Sequence, residues 1–121
     1  MYMEIVITDH TYVKEFQREF QKGFPYLKLE FFRNALKNEN HTMISPPVSG
    51  DVLMHEIRRK KFSGSLDING NRRVIEVEAE LENTFGLLAQ VFRKSGSLWI
   101  ETTLTGHWSL SRQNSEGRQM S

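Results

Sequence analysis

Two stretches of the chain share one pattern of apolar residues: residues 13–24, VKEFQREFQKGF, and residues 74–85, VIEVEAELENTF. Intervals of three, four and four residues separate the apolar positions in both stretches, which places them on one face of an α-helix. These positions are Val13, Phe16, Phe20 and Phe24 in the first stretch and Val74, Val77, Leu81 and Phe85 in the second. The sequence therefore predicts two similar helices.

The second stretch also carries a strand signal, because apolar and acidic residues alternate from Ile75 to Glu82. Helix is favoured because Ala, Leu and Glu are good helix formers and the match to the first stretch extends beyond the alternation. Asn71 is the expected N-cap. The acidic residues Glu76, Glu78, Glu80 and Glu82 are interpreted as a face exposed to solvent.

Each predicted helix lies between two segments with the alternation of a β-strand. The inward positions are Met3, Ile5 and Ile7, then Leu27, Leu29 and Phe31, around the first helix, and Phe62, Gly64, Leu66 and Ile68, then Leu87, Ala89 and Val91, around the second. A turn at residues 94–97 leads to a fifth strand, LWIETTL, at residues 98–104. Residues 34–50 read as a surface loop, and residues 51–60 as a short helix with Leu53, Met54 and Ile57 inward.

The expected fold class is α+β, with two tandem strand-helix-strand units forming one ferredoxin-like sheet, extended by the C-terminal hairpin and short helices. A ubiquitin-like sheet is the alternative. Residues 1–110 are predicted to form one domain, and residues 111–121 a polar, partly disordered tail with one helical turn.

Composition excludes several classes of protein. Cysteine is absent, so disulfides, thiolate nucleophiles and sulfur-ligated zinc are excluded. The net charge of +1 creates no strong field for a nucleic acid or an acidic membrane. No apolar run is long enough to span a membrane, and the first residues, MYME, lack the basic start of a secretory signal. The expected location is the cytoplasm.

A segment near the end of the second unit resembles a recurring family of short bacterial proteins of unassigned function. The resemblance rests on Phe85-Gly86-Leu87, on QVFRKSG at residues 90–96, on Trp99-Ile100-Glu101-Thr102, and on Trp108-Ser109-Leu110 with Gln113-Asn114. It extends over roughly residues 74–117. Members of the family typically have an acidic pair where this chain has Gly106-His107. The resemblance implies a shared fold and no mechanism.

The residues that alternate with the inward set form an unusually aromatic sheet face. Four aromatic residues and an acidic one, Tyr2, Phe32, Phe92, Trp99 and Glu101, define the candidate interaction face. The middle helix or the C-terminal segment with Trp108 and Leu110 could cover this face inside the molecule. Otherwise the face, or the last strand, would pair two copies of the chain or bind another protein. The hypothesis is a non-catalytic module for protein interaction or self-association.

Single-stranded nucleic acid is the alternative partner, because bases stack on sheet aromatics. The basic residues Arg58, Arg59, Lys60, Lys61, Arg72 and Arg73 are the candidate phosphate contacts. No catalytic residue, cofactor or metal ligand is predicted. The four histidines, His10, His41, His55 and His107, never stand four residues apart as in a helical metal pair, and neither a nucleophile elbow nor a phosphate loop occurs.

Overall fold

The structure, a computed structural model, describes residues 3–121 and confirms the α+β class. Its strands and α-helices follow the chain as β1 (Glu4–Ile7), α1 (Val13–Gly23), β2 (Leu27–Phe32), β3 (Gly64–Asp67), α2 (Val74–Phe85), β4 (Leu88–Ser95), β5 (Leu98–Glu101) and α3 (Leu110–Gln119). Single 3₁₀ turns occur at Met54–Glu56 and Thr103–Thr105. The two strand-helix-strand units are consistent with a ferredoxin-like arrangement.

The strands are divided between two antiparallel sheets, which corrects the expectation of a single sheet. β1 pairs with β3, while β4 lies between β2 and β5. One cause is that both edges of the β2–β4 pair are already occupied: β5 adjoins β4, and the Val48 N–H donates to the Phe31 carbonyl at the outer edge of β2. Val6, on β1, therefore lies outside the aromatic sheet face, and Tyr2 lies outside the described residues.

One core joins both sheets to the helices. All eight predicted inward residues of the two helical stretches are buried there, as are the inward residues of β2 and β4 apart from the partly buried Ala89. The Phe16 ring meets the Phe31 ring edge-on, with their centroids 5.1 Å apart. The predicted helical periodicity and the alternation of β2 and β4 are confirmed, whereas Phe62, predicted as an inward residue, precedes β3 and is 39% exposed.

The two long helices begin in the same way. The Glu15 carboxylate accepts the backbone N–H of Tyr12 at 2.9 Å, and the Glu76 carboxylate accepts that of Arg73 at 2.8 Å. Each acidic residue thereby satisfies a backbone donor at the start of its helix. The N-cap of α2 is therefore Arg73, and the expectation of Asn71 is wrong by two residues.

The middle segment forms the single 3₁₀ turn at residues 54–56 where a helix over residues 51–60 was expected. After this turn, residues 59 and 60 donate hydrogen bonds to carbonyl groups at the C-terminal end of α2. The Arg59 N–H donates to the Gly86 carbonyl at 2.8 Å, and Lys60 Nζ to the Asn83 carbonyl at 2.7 Å. These bonds cap α2, and they direct residues 57–60 away from a helical path.

The C-terminal segment forms the ten-residue helix α3 where one turn in a polar tail was expected. The reason is a buried polar side chain. Gln113 is fully buried; its Nε2 donates to the Thr105 carbonyl at 2.8 Å, and its Oε1 accepts from Arg93 Nη1 at 3.0 Å. Leu110 is also fully buried in the core. Residues 110–119 therefore belong to the packed part of the molecule.

The helices begin at two matching backbone bridges. Tyr12, at the start of α1, bridges Leu53, which precedes the 3₁₀ turn at residues 54–56. Arg73, at the start of α2, bridges Ser109, which precedes α3. Each strand-helix-strand unit is thus followed by a segment that returns to the start of its own helix.

Candidate functional site

The predicted interaction face lies on the three-stranded sheet. Lys28, Phe92 and Glu101 form one row across β2, β4 and β5, and Lys94 and Trp99 form the neighbouring row. The Nζ atoms of Lys28 and Lys94 each lie 5.3 Å from the centre of the Trp99 ring, within the range of cation–π attraction. All five side chains are partly exposed. Phe92, Trp99 and Glu101 are thus brought together at an accessible place.

Phe32 shares the same sheet face, but its side chain is only 3% exposed. Leu88, opposite it on β4, is also 3% exposed. Gln90 is the next residue of β4 on this face, and it lines a cavity together with Lys37 and Met43 of the loop after β2. This loop therefore lies beside the Phe32 end of the face and leaves the Trp99 end open. The expectation of Phe32 as a surface contact is not supported.

The segments expected to cover the face lie elsewhere. Leu110 is buried in the core, and Arg93, which contacts α3 through Gln113, alternates along β4 with Phe92 and so points to the opposite side of the sheet. α3 therefore packs on the helical side. The middle segment caps the end of α2.

The outer edge of β5 is open among residues 3–121. The Lys94 N–H donates to the Tyr26 carbonyl, so the backbone groups of Lys94 point towards β2 and those of Arg93 towards β5. Because Lys94 lies opposite Trp99 and Phe92 opposite Glu101, the backbone groups of Trp99 and Glu101 point away from β4. Two N–H and two C=O groups are thus available to a further strand.

Exposed apolar side chains accompany this edge. Leu98 and Ile100, on the helical side of β5, are 67% and 37% exposed, and Leu104 in the following turn is 85% exposed. An open edge with apolar side chains is a template for pairing with another strand. We call Phe92, Leu98, Trp99, Ile100 and Glu101 the association surface.

The basic residues do not form a single patch. The run Arg58, Arg59, Lys60 and Lys61 adjoins the C-terminal end of α2, whereas Arg72 and Arg73 stand at its N-terminal end. A helix of 12 residues is about 18 Å long, so the two groups lie far apart.

Two of these arginines are held by acidic partners. Arg58 makes a bidentate contact with Asp9, at 2.6 and 3.2 Å, and this contact lowers the pKa of the Asp9 carboxyl. Arg72 Nη1 lies 2.6 Å from a carboxylate oxygen of Glu80. These side chains stabilise the fold, and they are not free to contact phosphates.

A cavity of about 290 Å³ lies between α2, β4 and the loop after β2. Its polar lining residues include Lys37, His41, Glu78, Glu82, Gln90 and Thr103. It adjoins the part of β4 that extends beyond the end of β5, since β5 pairs only with residues 92–95. We call it the edge cavity.

Glu78 is the most perturbed titratable group in the edge cavity. Its Oε2 accepts the Val91 N–H at 2.9 Å. Burial raises the pKa of Glu78 to about 7, and the negative charge of Glu101 adds to the rise. The hydrogen bond from Val91 and the positive charge of Lys37 oppose it. The carboxyl therefore titrates near neutral pH.

Gln90 provides a second buried polar group in the same wall. Its side chain is 6% exposed, and its Nε2 donates to Thr103 Oγ1 at 3.0 Å. Its Oε1 is buried without a hydrogen-bond partner among residues 3–121. Buried side-chain oxygens usually have a partner, so this one is a candidate ligand contact.

Sequence reasoning missed both residues. It interpreted the acidic residues of α2 as solvent-exposed and placed Gln90 only as an outward residue of its strand. One difference between the two helices could have drawn attention to Glu78: the fifth residue is glutamine in the first helix, Gln17, and glutamate in the second.

No family model matches the chain, and neither a curated protein nor a solved structure matches it. Among residues 3–121, no helix is long and apolar enough to cross a membrane, and no group of three or more histidine, aspartate and glutamate side chains is arranged to hold a metal ion.

Proposed function

We propose that the protein is a non-catalytic interaction module of the cytoplasm that associates through the association surface, and that a second copy of the chain is its first partner. The observation that carries this proposal is the open edge of β5, with two outward-facing residues and exposed apolar side chains. Strand addition at such an edge provides backbone hydrogen bonds, and the side chains provide specificity.

One antiparallel register uses every outward backbone group of β5. It places Trp99 opposite Glu101 of the second copy, so that both residues exchange N–H and C=O bonds. The symmetry repeats this pair, and Ile100 then meets its own counterpart at the two-fold axis. The result is a continuous six-stranded sheet with four hydrogen bonds between the copies.

Charge favours the same register. Trp99 lies between the ammonium groups of Lys28 and Lys94, and the register brings the Glu101 carboxylate of the second copy beside it. A register shifted to put Glu101 opposite itself would place like charges together, which is destabilising.

The expected association is weak. A four-residue edge strand provides an interface below about 1,200 Å², the range of transient complexes. The protein should therefore exchange between monomer and dimer as its concentration changes.

Sedimentation velocity over a rising series of protein concentrations tests the proposal. We expect the mean mass to rise towards twice 14.2 kDa. Glu101→Pro should abolish the rise, because proline removes an outward N–H without removing a bond to β4. Glu101→Ala, which loses the same carboxylate but keeps that N–H, is the matched control and should still associate, though less tightly than the natural chain.

A mass that stays at that of the monomer throughout would contradict self-association, and equal association of the proline and alanine variants would contradict pairing through the β5 edge. Trp99→Ala adds a test of the side chains, since loss of the ring should weaken the dimer. Circular dichroism of each variant confirms that the fold is retained.

Single-stranded nucleic acid stays the second candidate, because the two lysines beside Trp99 resemble a base-stacking site with phosphate contacts. Fluorescence anisotropy with single-stranded oligonucleotides tests it. Binding that weakens as salt rises would support this candidate, and a flat trace at low salt would remove it.

A further inference from the structure

The edge cavity contains more hydrogen-bond acceptors than the protein itself uses. Glu78 bonds to Val91 through Oε2, which leaves Oε1 without a bond to that residue. The Oε1 of Gln90 is buried and has no hydrogen-bond partner within residues 3–121. Glu82, from the next turn of α2, adds a further carboxylate to the lining. The cavity lining thus contains acceptors that the hydrogen bonds of the described residues leave unused.

The backbone of β4 adds another acceptor and a donor. The Val91 N–H bonds to Glu78 and the Val91 carbonyl accepts from Thr102 Oγ1, so the backbone groups of Val91 point away from β2. Those of Ala89, two residues earlier, point the same way. β5 does not reach this position, and Ala89 lines the cavity. Its C=O and N–H therefore face the cavity side.

The fold does not require a carboxylate at position 78. At the matching position of α1, Gln17 bonds to the edge of the neighbouring strand through its amide, with Nε2 3.0 Å from the Leu29 carbonyl. A glutamine at 78 would bond to the neighbouring strand in the opposite direction, since its amide oxygen could accept the Val91 N–H. Burying an ionisable group instead destabilises its charged form. Such an unfavourable group in a cavity is typical of a binding site.

The remaining lining suits an alkyl group. Ile75, Ala79 and Met43 provide apolar contacts around the acceptors. Three carboxylates lie in or beside the cavity, Glu78, Glu82 and Glu101, against one ammonium, Lys37, and the imidazole of His41 at the loop. The local charge therefore favours a positive ligand.

We propose that the edge cavity binds a small organic cation, a primary ammonium or guanidinium group on a short alkyl stem, with Glu78 and Gln90 as its hydrogen-bond acceptors. Such a group is rich in donors and matches the unused oxygens. It could be a free amine or the side chain of a lysine or arginine in a partner protein. The site shares Glu101 with the association surface, because the charge of Glu101 acts on Glu78, but the two proposals are tested with different variants and measurements, so either can fail alone.

The test titrates the whole chain with n-butylamine and follows the backbone amide signals by NMR. We expect the Val91 amide, which bonds to Glu78, to shift most. The neutral analogue n-butanol and the anion butyrate should not shift it. N-acetyl-lysine methylamide distinguishes the sources: binding tighter than that of butylamine indicates a partner's side chain, and weaker binding a free amine.

The affinity should depend on pH, because the ligand needs the ionised carboxyl of Glu78. Binding of butylamine should be about tenfold tighter at about pH 8 than at about pH 6, since the carboxyl titrates between these values. The charges of Lys37 and Glu101 also act on this carboxyl, and His41 and Glu82 line the same cavity. The pH series is therefore repeated with Glu78→Gln.

Glu78→Gln should weaken binding at least tenfold and remove most of the pH dependence, while its amide oxygen still accepts from Val91. Glu19→Gln on the exposed side of α1 is the control and should bind as the natural chain does. Equal shifts by butylamine and butanol, tighter binding of butyrate, the absence of any shift at Val91, or unchanged binding by Glu78→Gln would each overturn the proposal.

Discussion

Glu78 destabilises the protein at neutral pH. Its carboxyl keeps its proton in the folded state up to about pH 7, whereas in the unfolded chain it loses the proton near its ordinary pKa of 4.5. Between these values the folded state binds more protons than the unfolded state. The free energy of unfolding therefore falls as pH rises through this window and levels off above it, with a total loss of about 3 kcal/mol.

Replacement of Glu78 by glutamine should remove this loss. Glu78→Gln should match the natural chain in stability at about pH 4 and exceed it by up to about 3 kcal/mol at about pH 8. Urea denaturation of both chains at both pH values measures the difference in the free energy of unfolding. Comparing the two chains at the same pH cancels the contributions of the other titrating groups. A variant that is less stable at the higher pH would contradict the assigned role of burial.

Gln113 is the residue on which the C-terminal helix depends. It joins Arg93 of β4 to the Thr105 carbonyl and has no exposed surface. Gln113→Ala leaves these two partly buried groups without that partner, at about 1–3 kcal/mol for each group that stays unsatisfied, and it also leaves a cavity in place of the buried side chain. We expect a loss of at least about 3 kcal/mol in urea denaturation. Gln119→Ala, exposed on the same helix, should change little; equal effects would disprove the role of Gln113.

At the scale of elements, the end of α2 depends on a glycine. Gly86 has a φ of +67°, and a Cβ there would lie 2.7 Å from the Lys60 nitrogen and 3.0 Å from that of Arg59. Gly96, in the β4–β5 turn, has a φ of +60° and open space around it. Both Gly→Ala changes place alanine in the left-handed region, which costs about 1–2 kcal/mol. Only Gly86→Ala also forces the backbone of Arg59 and Lys60 to move.

Comparing Gly86→Ala with Gly96→Ala separates the cost of the left-handed conformation from the cost of crowding. Gly86→Ala should be less stable than Gly96→Ala by about 1–3 kcal/mol, the usual cost of overpacking. Thermal unfolding of both variants measures the difference. If the two variants were equally stable, the contact of residues 59 and 60 with the end of α2 would contribute nothing to the stability of the protein.

The elements that the sequence predicts well are those whose patterns are local. The spacing from Val13 to Phe24, and from Val74 to Phe85, is read within one helix, and both helices form. The middle segment fails because its backbone bonds to Gly86, which is distant in the sequence. α3 is missed for the same reason, since the partner that buries Gln113 is Arg93.

The candidate site is likewise predicted only as far as local patterns reach. Strand alternation places Phe92 and Trp99 on one face without knowledge of the partner strands. It cannot show that Phe32 on that face is buried, because burial depends on what lies over the sheet. Nor can it show that Glu78 is buried at the edge of β4, since the acidic pattern of α2 looks like a solvent-exposed face.

At the scale of the whole molecule, the C-terminal segment connects separate parts of the fold. Thr102 bonds to the Val91 carbonyl, Asn114 accepts the Tyr26 N–H, and Ser109 caps α3. These are internal contacts among β2, β4 and the C-terminal segment.

A shared core implies that the C-terminal helix supports the entire molecule. α3 packs on β2 and β4, and the Leu110 N–H donates to the Arg72 carbonyl before α2. A chain ending at Ser109 loses the fully buried side chains of Leu110 and Gln113. Removing a buried leucine alone costs about 2–5 kcal/mol, a large part of the 5–15 kcal/mol that stabilises a typical domain.

We therefore expect the chain ending at Ser109 to lose cooperative unfolding throughout, including in the β1–β3 sheet. Hydrogen exchange of the Ile5 and Leu66 amides reports on that sheet, and their protection should fall together with that of β4. A chain ending at Gln119 keeps α3 and should unfold almost as the natural chain does. If protection of β1 and β3 survived the loss of α3, the two sheets would be separate folding units, and the single core joining them would not determine stability.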